Sequence, residues 1–124
     1  MNRIRLSRPI ASLPPEEAKL LADALFDLRR LAIDRARRRE DRWIDLYLAG
    51  IHQTISLRAR PGAVGYRTEA LLWGKNPVPT REDARRLGEL LGLEHFVVDQ
   101  LRVLWHVKEA SYAGIKPSMA AATA

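Results

Sequence analysis

The sequence predicts a mainly α-helical fold: a small domain with a long N-terminal helix, a C-terminal pair of short helices, and room for a minor two-stranded ribbon. Three observations carry this expectation. Apolar residues recur at three- and four-residue steps through LLADALFDLRRLAIDRA, which makes one stripe on a helix. No glycine or proline interrupts residues 16–49. The stretch RRLGELLGLEHFVVDQLRVLW, residues 85–105, has the rhythm of helix, glycine turn and helix. At 124 residues the chain fits a single domain able to bury a core without disulfides or a metal. The expected division is a basic arm at 1–11, a long or bent helix at 12–60, a two-helix unit at 66–110 and a small-residue tail at 115–124.

Each element has its own local warrant. RIRLSR at 3–8 alternates cation and apolar residue, the pattern of an extended arm or edge strand. Ser12, Pro14, Pro15, Glu16 and Glu17 make a helix start, with a capping hydroxyl, prolines in the first turn and acids at the positive end of the dipole. The helix then either continues through RARRREDRW into IDLYLAG or bends where Asp41 caps a second segment. Residues 53–60 alternate as a strand before Pro61-Gly62, so TISLRAR and RIRLSR could pair as a ribbon; alternatively residues 53–60 finish the preceding helix. A short helix fits Arg67 to Trp73. Thr80 followed by Asp83 is a capping-box variant that opens a helix running to Leu91, with Gly92 as its stop. A last helix is expected from about Glu94 to Ala110.

The 85–105 stretch resembles the helix-turn-helix DNA-binding regulators over residues 84–105. Leu87, Leu91, Leu93, Val98 and Leu101 hold the apolar positions of that pattern, Gly88 the small position and Gly92 the turn. The resemblance implies two packed helices, the second laid against DNA. The outward face of that second helix is nevertheless poor in base-reading side chains, since Gln100 and Arg102 stand at its flanks and Asp99 near its front. Phe96, Val103 and Val107 on the same face suit contact with protein.

Charge supplies the main functional clue. Twenty-one Lys and Arg against 15 Asp and Glu leave a formal +6 and a pI near 10.3, which favours polyanionic partners through counterion release. The excess lies outside the two-helix unit, so Arg3, Arg5, Arg8, Arg58, Arg60 and Arg67 are the expected phosphate contacts, with Tyr66 as a stacking partner. Trp43, Trp73 and Trp105 read as core anchors.

Enzymatic chemistry finds no footing. The absence of cysteine removes thiol catalysis and thiolate zinc sites, and His52, His95 and His106 lack a metal-binding step. His95 and Asp99 have no nucleophile or oxyanion donor beside them. No catalytic residue, metal or cofactor is expected. The start of the chain has no apolar signal core and no run is long enough to span a bilayer, so a cytoplasmic protein away from membranes is expected. The expected function is non-enzymatic association with DNA or RNA phosphates while docked to a protein partner or a second copy. Two alternatives stand beside it: an interaction subunit or inhibitor in a phage, defence or other nucleoprotein assembly, and a dimeric helix-turn-helix repressor.

Overall fold

Among the described residues six strands and two helices form, in the order β1 (Arg3–Arg5), a 3-10 turn (Ile10–Ser12), α1 (Pro15–Arg37), β2 (Ile44–Ala49), β3 (Gln53–Gly62), β4 (Gly65–Gly74), α2 (Arg81–Leu90), β5 (Phe96–Asp99) and β6 (Arg102–Lys108). The structure is a computed structural model that describes residues 2–40, 42–63, 65–74, 78–91, 96–99 and 102–108, the last two stretches by their backbone. All six strands belong to one sheet, ordered β1-β2-β3-β4-β6-β5. β1 runs parallel to β2, and every other neighbouring pair is antiparallel.

The apolar stripe of α1 forms as its spacing requires. Ala18, Leu21, Leu25, Leu28, Ala32, Ile33 and Ala36 are buried, and the helix lies across β3 on one face of the sheet. Pro14 is the N-cap and Pro15 opens the first turn, where its missing N–H costs nothing. Ser12, expected to cap, sits instead in the 3-10 turn. The helix stops at Arg37: the next residue has left helical geometry, and Arg39 is left-handed at φ 62°.

Past that point the period of the sequence changes from helical to two-residue. Ile44, Leu46 and Leu48 turn toward α1, while Asp45 and Tyr47 turn away. The register carries the alternation across the sheet. Leu46 pairs with Ile55 and Ile55 with Leu72, and likewise Ile44 pairs with Leu57 and Leu57 with Ala70. Together with the α1 stripe these side chains make one core. The β2–β3 turn depends on Gly50, whose φ of 94° favours glycine and whose position would drive a Cβ into the backbone carbonyl of Leu6.

α2 is the part of the two-helix expectation that stands. Thr80 Oγ1 accepts a bond from the Asp83 amide at 3.1 Å, and Asp83 Oδ2 accepts one from the Thr80 amide at 2.9 Å, completing the expected capping box. Asp83 does more than cap, because its Oδ1 accepts from the Ala11 amide at 2.9 Å and so ties α2 to the 3-10 turn.

Four expectations are overturned. The fold is mixed, with a six-stranded sheet, and is not mainly helical. The described residues form no helix-turn-helix: Phe96–Asp99 and Arg102–Lys108 are paired strands where the second helix was expected. That segment is rich in valine and other apolar residues, and such a run suits a strand as well as a buried helix. The helix expected over residues 12–60 ends at Arg37, and Arg67 to Trp73 belongs to β4. RIRLSR and TISLRAR do both contribute strands, but β2 lies between them. Gly92, Leu93, Glu94, His95, Gln100, Leu101 and the 115–124 tail lie outside the described residues.

Candidate functional site

The sheet has two unlike faces. The side toward α1 is mostly aliphatic, with Gln53, Thr68 and Tyr66 buried among the aliphatic side chains, whereas the opposite side carries the alternate residues of β1 to β4 in cross-strand rows. In one row Arg3 pairs in register with Tyr47, Tyr47 with Thr54 and Thr54 with Trp73. In the next, Asp45 meets Ser56 and Ser56 meets Leu71. Trp43, one residue before β2, stands beside Arg58, which pairs with Glu69; beyond that Arg60 pairs with Arg67. Arg5 joins the same face, two residues along from Arg3.

Five of the six arginines nominated from sequence, Arg3, Arg5, Arg58, Arg60 and Arg67, therefore share one surface. Arg8 does not. It follows β1 in the loop, beside the carboxylate of Glu17. Along β1 to β4 the carboxylates of this face are Asp45 and Glu69.

Local contacts give the arginines different roles. Arg58 donates from Nε to Glu69 Oε1 at 2.8 Å and lies 4.6 Å from the centroid of the Trp43 ring, so it is a partly buried structural clamp. Arg3 reaches over the Tyr47 ring at 5.7 Å. Arg60 is exposed and also interacts within the chain. Arg5 and Arg67 are exposed and have no ion pair among the described residues. Arg60 and Arg67 stand directly across β3 and β4 from each other, an arrangement of like charges that disfavours the pairing.

The aromatic residues are where sequence reasoning fell short. Trp73, expected in the core, is 51% exposed. Its indole Nε1 donates to Ser56 Oγ at 2.9 Å, and the Ser56 hydroxyl donates to Asp45 Oδ1 at 2.6 Å. The buried serine thus fixes the edge of an indole whose remaining surface faces outward. Tyr47, half-buried, has its hydroxyl 3.0 Å from His52 Nδ1. Tyr66, expected to stack, is buried on the side of α1. The available signal was positional: Trp73 is an odd-phase residue in a strand whose even-phase residues Tyr66, Thr68, Ala70 and Leu72 are all inward.

Away from this face, two ionised groups serve the scaffold. Arg29 donates to the Leu91 carbonyl at 2.9 Å, and burial pulls its pKa below the usual arginine range. Glu17 accepts from the Ser7 hydroxyl at 2.6 Å and the Ser7 amide at 2.9 Å, and these bonds, with Arg8 nearby, hold its pKa below the ordinary 4.5. Between β1 and α1 lies a groove of about 260 Å³, lined by Ile4, Ala24, Asp27, Leu28, Leu31 and Leu46 among others.

Phe96, Val103 and Val107, expected as protein contacts on an outward helix face, are strand residues. Val103 pairs with Ala70 on one side and Val98 on the other, Val107 with Tyr66, and Phe96 with Trp105. The helix face that nominated them does not exist, and their side chains lie outside the described residues. Among the described residues no three His, Asp or Glu side chains gather as a metal site, and no helix is long and apolar enough to cross a membrane. Comparison with protein-family models, with curated proteins and with solved structures returned no match.

Proposed function

We propose that this protein is a non-enzymatic, cytoplasmic nucleic-acid-associated protein that holds phosphates on the open face of its sheet. The observation that carries the reading is the gathering of Arg3, Arg5, Arg58, Arg60 and Arg67 on one surface, opposite the face that α1 covers. Nothing in helix geometry linked these residues. Only the two-residue period of strands, repeated in register, brings them together. Arg5 and Arg67 are the main phosphate ligands in this reading, Arg3 and Arg60 support them, and Arg58 holds Trp43 in place.

The test is a salt titration of binding to an oligonucleotide. Neutralising several phosphates releases counterions, so affinity should fall steeply between about 50 and 200 mM salt. A flat titration, or no binding at low salt, would remove the reading.

A second reading has its own observation. β1 is an edge strand of three residues, and the groove beside it has an apolar floor of Ile4, Ala24, Leu28, Leu31 and Leu46 with Asn2, Arg3 and Asp27 also lining it. An extended segment of a protein partner could add to that edge, with apolar side chains in the groove and acidic ones against Arg3 and Arg5 on the other face. A second copy of β1 fits less well, because antiparallel pairing about Ile4 would set Arg3 against Arg5. Leu31→Glu, at an exposed groove residue, should abolish capture of an acidic-apolar peptide and leave oligonucleotide binding intact. Equal peptide binding by this variant would exclude the groove.

A further inference from the structure

We infer that the open face selects single-stranded nucleic acid, with Trp73 as the platform on which an unpaired base stacks. The inference rests on the phosphate-binding reading and adds to it a ligand class and a residue. An exposed indole usually has two demands, an apolar ring to cover and an N–H to satisfy. Here the second is already met inside the protein, by Ser56 Oγ at 2.9 Å. Ser56 is only 6% exposed and is itself anchored to the exposed Asp45, so the indole edge is held by a hydrogen-bonded chain with a buried hydroxyl at its centre. What Trp73 still offers a ligand is its ring, and the ring is half exposed.

The neighbours of Trp73 suit a base in a chain of phosphates better than an apolar protein surface. Thr54 pairs with it in register and Tyr47 pairs with Thr54, so two aromatic residues share a row, about 10 Å apart across two strand spacings. Arg3 closes that row at β1, and Arg60 and Arg67 lie six residues along β3 and β4, about 20 Å away. One cation thus closes the aromatic row at β1 and two more lie along β3 and β4, so a strand whose base stacks on Trp73 can follow its backbone toward either group. A duplex cannot use this arrangement. Its bases are already stacked and paired, so none has a free face to lay on the indole without the cost of unstacking.

Trp43, Trp73 and Trp105 are the tryptophans of the chain, so intrinsic fluorescence reads the site directly. The probes are a thymidine homo-oligomer of about 15 nucleotides, a mixed-sequence duplex of equal length, and inorganic polyphosphate. The homo-oligomer should quench the wild-type emission, and Trp73→Leu should remove that quenching and weaken binding roughly tenfold or more. Polyphosphate should bind both proteins alike, since it has no rings. Trp73→Phe, which keeps an aromatic face and a similar fit, should retain most of the affinity and guards against a folding defect in the leucine variant. If duplex binds as tightly as the homo-oligomer and neither substitution matters, stacking is wrong while phosphate binding survives. If no probe binds at low salt, the phosphate reading falls and this inference with it. If Trp73 emission shifts to the blue with protein concentration alone, the indole is a contact between copies, and the inference is overturned.

Discussion

The two faces of the sheet are built from the same strands, residue by residue in alternation, yet they are held by different physics. On the side of α1, Ile44, Leu46, Leu48, Ile55, Leu57, Ala70 and Leu72 are buried against the helix, and their contribution is area removed from water. On the other side Arg58, Glu69, Ser56, Asp45 and Trp73 are linked by hydrogen bonds and one ion pair, while Arg5, Arg60 and Arg67 project outward. The contrast teaches that stability and recognition are separated by strand phase. A substitution at an even position of β4 acts on folding, whereas one at the exposed odd positions Arg67 and Trp73 acts on the surface; Glu69, odd but buried against Arg58, belongs with the scaffold.

That separation can be broken most forcefully from the aliphatic side. Leu25→Ala or Ile55→Ala removes a fully buried side chain and should cost about 2–5 kcal/mol, seen as a lower denaturation midpoint. Asp83→Ala should come next, at about 1–3 kcal/mol, because it leaves the Thr80 and Ala11 amides without their acceptor. By contrast Arg67→Gln on the open face should change stability by less than about 0.5 kcal/mol. An open-face substitution that destabilised as much as Ile55→Ala would end the comparison.

A smaller effect tests the arm that leads from β1 to α1. The Glu17 carboxylate is held below its ordinary pKa of 4.5 by the Ser7 hydroxyl, the Ser7 amide and Arg8, in that order. A depressed folded-state value means its contribution is full above pH 4.5 and fades as pH falls through the folded value. Glu17→Gln should therefore narrow the stability gap to the parent as the medium is acidified below that point. Midpoints measured from about pH 7 down to about pH 3 check this, and parallel curves would show that Glu17 does not hold the arm.

Legibility tracked the strength of the local pattern. The stripe from Ala18 to Ala36 could come from a helix alone, and the Thr80–Asp83 box announced α2, so both were readable. IDLYLA alternates as cleanly as a strand should, but it comes after an unbroken helical run and was absorbed into it. Leu87, Gly88 and Leu91 fitted a helix-turn-helix because α2 is a real amphipathic helix, and only long-range pairing of β6 with β4 makes the next part of the chain extended. The arginines were found by charge, yet their shared surface rests on register, which the sequence does not display. Trp73 was missed because composition treats tryptophan as core, whereas strand phase turns this one outward.

The central claim is that one face, and not the net charge, holds the nucleic acid. Two double variants with equal loss of charge separate these: Arg5→Gln with Arg67→Gln on the open face, and Lys19→Gln with Arg81→Gln on the helices. The measurement is the slope of log affinity against log salt for a single-stranded oligonucleotide. The account predicts that the open-face pair lowers the slope by about 1.4, near 0.7 for each phosphate no longer neutralised, while the helix pair leaves it unchanged. Equal slopes for the two double variants would contradict it.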